Sequence, residues 1–332
     1  MICSDGLFDL QVNGFAGIDF NDAGITSDGL DTALAAMRAT GVTACLPTLI
    51  TAHDTELRDR ISALDAAVSG SRLGPAMVPG YHLEGPFLNP ADGYRGCHPA
   101  AAMRDPDAAL YLDLAAGLAR PILLVTLAPE RQGALPAITV LRRAGICVAM
   151  AHSDASLRQV SEAADAGLSL STHLGNGLPR LLHKTENALL GQLADPRLAA
   201  CFIADGHHLS ADALGAMLRI KGLDRSILVT DAVLAAAAPP GRYRFAGMEV
   251  ERDAAGVVRQ PGEAHLAGSA LELDTAIRNV VQWGLATPEQ AIRMASVNPR
   301  AALAEAARAQ GVSLPTGRIL WSDELRPVEV DL

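Results

Sequence analysis

Eight short runs rich in Val, Ile and Leu recur along the chain, and most are followed by a stretch with helical spacing of apolar residues. They are LFDLQV (7–12), VTACLPT (42–48), AMVPGYHLE (76–84), PILLVTLA (121–128), ICVAMAH (146–152), LSLSTH (168–173), AACFIAD (199–205) and SILVTD (226–231). Between them lie DTALAAMRATG, ELRDRISALDAAV, ALPAITVLRRAG, LRQVSEAADAG and ADALGAMLRIKG, several ending in the glycine that commonly stops a helix. Alternating strands and helices, with strands apolar throughout, imply a parallel sheet covered by helices. Eight repeats favour closure into a (β/α)8 barrel over an open doubly wound sheet.

Each run also ends in a polar group: Gln11 and Asn13, Thr48, Glu84, Thr126, His152, His173, Asp205 and Asp231. Active sites of such barrels sit at the rim where the strands end. Residues 7–238 and 269–309 are therefore assigned to the barrel. Residues 239–268 and 310–332, with short apolar runs between turn residues, are expected to form one small β appendage.

Composition narrows the partners. The 332 residues are 49% apolar with a formal charge of -10 and no run of Lys or Arg, which argues against nucleic acid and anionic membrane surfaces. No apolar run approaches the roughly 18 residues that span a bilayer, and no basic-then-apolar leader opens the chain, so the cytoplasm is the expected compartment. Five cysteines lack the spacing of a zinc ribbon or redox pair and read as buried apolar residues or incidental thiols.

Glu84, His152 and His173 end the third, fifth and sixth runs, so their side chains are expected to converge on the rim. One carboxylate with two imidazoles is a set that catalytic zinc accepts, leaving a fourth position for water. Iron, cobalt and manganese accept the same mixture. Three such groups brought together without a cation would be costly to desolvate. Asp231 is then a general base and acid beside the metal, or else a helix cap. His82 shares a face with Glu84, two residues on, and is either a support beneath it or a satisfied core histidine. His98 and His208 could reach over the rim; His207 and His208 are adjacent, so at most one enters the pocket. Asn176, between Gly175 and Gly177, suits a tight turn facing a ligand, or simply a turn.

Taken in order, LQVNG, TACLPTLIT, HLEGPFLNP, VTLAPE, AHSDAS, THLGNGLP, IADGHH, LVTDA and LAGSALELDTAIRNVV resemble the N-acetylglucosamine-6-phosphate deacetylases of the amidohydrolase superfamily over about residues 7–305. The resemblance implies a TIM barrel of the metal-dependent amidohydrolase type that hydrolyses the acetamido group of an amino sugar, as a homodimer. It implies Glu84, His152 and His173 as metal ligands, Asp231 as base and acid, and His98 as the group that helps polarise the carbonyl. His208, Asn176, Gly175, Gln11, Asn13 and Lys184 would bind substrate. Gln11-Val12-Asn13 stands where many amidohydrolases carry His-x-His for a second metal, so one divalent ion is expected, zinc first.

Two departures shape the expectation. Family members carry a long segment before the first barrel strand, so the appendage here is expected to be smaller or differently built. No Arg stands where the family places one for the sugar phosphate; Arg180, His183 and Lys184 lie nearby, and Lys binds phosphate only as a point charge. The expected substrate is N-acetylglucosamine-6-phosphate or a close analogue, phosphorylated or not. Open alternatives are an amidohydrolase of another N-acyl or cyclic amide, a sugar-binding barrel without turnover, and a metal-assisted aldolase or isomerase.

Overall fold

The computed structural model describes residues 2–263 and 265–332. Eight parallel strands form the barrel: β1 (Leu7–Val12), β2 (Val42–Ile50), β3 (Tyr81–Glu84), β4 (Ile122–Leu127), β5 (Cys147–Met150), β6 (Leu170–Ser171), β7 (Ala199–Phe202) and β8 (Ser226–Leu228). They pair in chain order. The ring closes through a parallel bridge between Val12 and Ala232, with the Asp231 amide on the Gln11 carbonyl at 2.9 Å. Nearly every strand residue is buried, as a sheet covered by helices on one side and filled by side chains on the other demands.

The outer helices follow from local signals. Ser156 and Gln159 form a capping box that starts Leu157–Ala166, and Gly167 ends it at φ 118°. This helix exposes one face and buries Val160 and Ala163.

The strands stop short of the expected bounds at the functional end. β5 ends at Met150, β6 at Ser171 and β8 at Leu228, and beyond them His152, His173 and Asp231 take φ of 50°, 31° and 49°. A left-handed residue cannot continue a strand and costs of order 1–2 kcal/mol for a side chain with a Cβ. The run 76–84 is likewise shorter, because Gly74–Met77 is one helical turn.

The segments expected to form one β appendage belong to separate sheets. Gly241–Phe245, Met248–Arg252 and Val258–Arg259 make an antiparallel sheet whose Phe245, Val250 and Val258 pack with Ile50, Val233 and Leu234 over the rim. Arg318–Trp321 pairs instead with Ile2–Asp5, which leads directly into β1 at the barrel base, and with Pro327–Asp331 on its other side. There Ile319 and Trp321 join the main core. All five cysteines are free. Among the described residues no helix is long and apolar enough to cross a membrane.

Candidate active site

Strand alternation turns both His82 and Glu84 into the barrel, one layer apart. His82 bonds Thr126 Oγ1 at 2.8 Å and Thr48 Oγ1 at 3.3 Å, and burial pushes it down to about 4. It is an uncharged, satisfied histidine that fills the polar layer beneath the site. Thr48 and Thr126, expected at the rim, belong to this lower layer.

Glu84 is the hub of the upper layer. Its Oε1 lies 2.8 Å from His173 Nε2 and 3.5 Å from His152 Nε2, while Oε2 lies 3.8 Å from His98 Nε2. The rings of His98 and His152 are 4.7 Å apart, and those of His152 and His173 4.9 Å. Donor atoms of Glu84, His98 and His152 all fall within 4.8 Å of one another. His98, placed over the rim by the sequence, thus stands within the cluster, its Nδ1 on Thr51 Oγ1 at 2.9 Å.

Two observations show that the cluster suits a cation. His152 donates from Nδ1 to the Tyr94 carbonyl at 2.6 Å, so its Nε2 presents a lone pair and has no hydrogen-bond partner although buried. Backbone presses on the same ring: a Cβ on Gly177 would lie 2.5 Å from His152 Nδ1, and that glycine sits at φ 62°. Electrostatics agree. Burial works against the charged form of Glu84, yet His173, His152 and His98 hold its carboxyl well below the usual range. Against the same burial penalty, Glu84 lifts His173 to about 9, whereas burial and His152 push His98 down to about 3. A carboxylate facing uncharged imidazole nitrogen is what a divalent ion binds.

Asp231 stands beside this cluster. Its Oδ1 accepts from Gln11 Nε2 at 2.9 Å and Asn13 Nδ2 at 2.8 Å, and Gln11 Nε2 also reaches Glu84 Oε2 at 3.1 Å. Burial, reinforced by Glu84, raises Asp231 to about 6. Gln11, expected to face substrate, therefore ties the two carboxylates together, while Asn13 bonds Asp231 alone and lines the cavity, and the side-chain oxygens of both are buried without partners.

The cavity above holds about 220 Å³. Asp205 Oδ2 accepts from His208 Nδ1 at 2.7 Å and so turns that ring toward the cavity, while His207 points away to the Ala255 carbonyl. Gly175 and Asn176 line it too, but the Asn176 amide donates back to the His173 carbonyl at 3.1 Å. Lys184 and Arg180 are exposed in the loop that follows and do not line the cavity. The wall residues Cys97, Phe245, His265 and Leu266 were not foreseen. Asp205 was noted only as a strand end; its spacing of three from His208 was the available signal.

No family model matches the chain. It is 37% identical over 292 residues to an N-acetylgalactosamine-6-phosphate deacetylase of Escherichia coli O157:H7, covering 88% of this chain and 75% of that protein. It is 36% identical over 311 residues to the N-acetylglucosamine-6-phosphate deacetylase of Homo sapiens, covering 90% and 73%. The chain belongs to the N-acetylglucosamine-6-phosphate deacetylase family. The crystal structure of N-acetyl-D-glucosamine-6-phosphate deacetylase from Mycobacterium smegmatis superposes with a TM-score of 0.86 at 31% identity, covering 99% of this chain and 85% of that one. An enamidase of the amidohydrolase superfamily shares the barrel at a TM-score of 0.52 and 15% identity, a likeness of fold alone. The Glu84 cluster is where a divalent ion fits.

Proposed function

We propose that this chain hydrolyses the acetamido group of an N-acetylhexosamine 6-phosphate, the glucosamine or galactosamine epimer, releasing acetate and the free amine. The observation that carries the reading is Asp231, half-buried and raised to about 6, beside the Glu84 cluster on the floor of a cavity walled by His98 and His208. Glu84, His152 and His173 would hold the ion, with zinc the first choice and iron, cobalt or manganese chemically suited. Such an ion lowers the pKa of a coordinated water and polarises the amide carbonyl.

The chain's own residues do the rest. In the tautomer in which Nδ1 of His98 accepts from the Thr51 hydroxyl, Nε2–H is free to donate to the carbonyl oxygen as charge develops there. Asp231 takes a proton from water as the water oxygen bonds to the acetyl carbon. It returns that proton to nitrogen as the carbon–nitrogen bond breaks. Gln11 and Asn13 occupy Oδ1 of Asp231 and leave Oδ2 for this transfer. His208, oriented by Asp205, faces the sugar, and Asn176 with Gly175 shapes the turn beside it.

A second reading, an unphosphorylated N-acetylhexosamine, is favoured by one fact: among the described residues, no Lys or Arg lines the cavity. On the first reading, phosphate recognition falls to Lys184 in a homodimer, the assembly we propose, working in the cytoplasm, where free thiols persist. Acetate release from N-acetylglucosamine, its 6-phosphate and N-acetylgalactosamine-6-phosphate by zinc-loaded protein separates these readings. Preference for the phosphorylated sugars supports the first, equal rates the second, and no acetate from any of them removes both.

A further inference from the structure

Glu130 follows β4 and touches neither Glu84 nor the cavity, yet it fastens both chain segments that fix His152. Its Oε1 accepts from the Asp154 amide at 2.7 Å and from Asn89 Nδ2 at 2.9 Å, and its Oε2 accepts from Ser153 Oγ at 2.6 Å. The Asn89 amide in turn donates to the His152 carbonyl at 3.0 Å. One carboxylate thus grips the two residues after His152 directly, and its carbonyl through Asn89. These bonds surround a histidine at φ 50°, a conformation that persists only where neighbours over-determine it. Asn89 also opens the loop that carries Tyr94, whose carbonyl sets the His152 tautomer, and His98.

We propose that Glu130 is a positioning residue for the metal site: it holds the left-handed turn that aims His152 Nε2 at Glu84, and so sets how tightly the site binds its ion. The inference rests on the reading of His152 as a ligand. Three hydrogen bonds to an ionised group are strong ones, and groups behind a ligand typically carry 10- to 100-fold in metal affinity.

The test is competition for zinc between a chromophoric chelator and the metal-stripped full chain, for Glu130→Ala, Glu130→Gln, Ser153→Ala and His152→Ala, with thermal unfolding of each metal-free protein alongside. Glu130→Ala should weaken zinc about tenfold or more. Glu130→Gln, which keeps an acceptor for Asn89 and Asp154, should recover most of that, and Ser153→Ala should show a smaller loss. Adding Glu130→Ala to His152→Ala should cost nothing further. If the alanine variant does not fold, the glutamine and Ser153 variants carry the test. Parental zinc affinity in the Glu130 and Ser153 variants, with only His152→Ala weakened, overturns the inference even if their unfolding temperatures fall. Unchanged affinity in His152→Ala as well removes the ligand reading itself.

Discussion

The two ends of this barrel are built to opposite rules. At the base, Arg300 donates to the carbonyls of Gly6, Ser296 and Pro315 at 2.7 to 2.8 Å, and the Lys221 ammonium meets three carbonyls at 2.6 to 3.0 Å. Trp321, in the sheet at this end, is fully buried. At the rim, His152, His173 and Asp231 are held in left-handed backbone, and Gln11 Oε1, Asn13 Oδ1, His152 Nε2 and His173 Nδ1 are buried without hydrogen bonds. Buried orphans and strained residues are normally rare. Orphans occur elsewhere in the chain, Gln192 Oε1 near the base among them, but at the rim four of them share one cluster with three strained residues, and there we propose that an ion and substrate bind.

The contrast can be broken by substitution. Asp231→Asn should lower acetate release by about a thousandfold or more, while zinc per chain, measured by atomic emission, stays at the parental value. Loss of zinc in that variant would mean that Asp231 belongs to the ligand set. Trp321→Ala should do the reverse: about 3–5 kcal/mol of stability lost by denaturant titration, with KM and zinc content unaltered.

Between the ends sits Asp9, buried on β1 and bonded to Thr230 beside the proposed base. Burial raises it to about 7, with Thr230 and Gln11 opposing. The folded chain therefore holds a proton that the unfolded chain releases near pH 4. This group's contribution is greatest below about pH 4 and is lost as pH rises through about 7. Asp9→Asn should flatten that part of the stability–pH curve by a few kcal/mol at most, and a slope equal to that of the parent would show that Asp9 keeps its charge on folding. The smallest effect concerns the rim's orphans. Zinc at a hundredfold excess over Kd should stabilise the chain by about 2.7 kcal/mol, and His152→Ala should reduce this sharply.

Much of this was legible in the sequence, for a physical reason. A parallel barrel buries both faces of every strand, so each one shows as an apolar run, and β1 matches its expected range residue for residue. The strand ends were misjudged because nothing in ICVAMAH or LSLSTH marks the left-handed turn at His152 or His173. Convergence of Glu84, His152, His173 and Asp231 is expected from the shared rim, whereas His98, in a loop, is expected only to reach over it and stands within the cluster. Periodicity gives a side chain's face and not its partner, so the bond from Gln11 to both carboxylates is not readable from LQVNG, whereas Asn13 does line the cavity. Lys184 lies in a loop whose course no local pattern sets. Phe245 and His265 reach the cavity only because a distant hairpin folds back over it.

That hairpin leaves and rejoins the barrel at neighbouring points, since Ala232 and Ser269 form a bridge. The entropy of closing the excursion is thus met by the barrel and changes only slowly with the length between. The roof is therefore the expected place to alter what the enzyme admits, by rebuilding the hairpin of residues 241–259, which carries none of the Glu84 cluster.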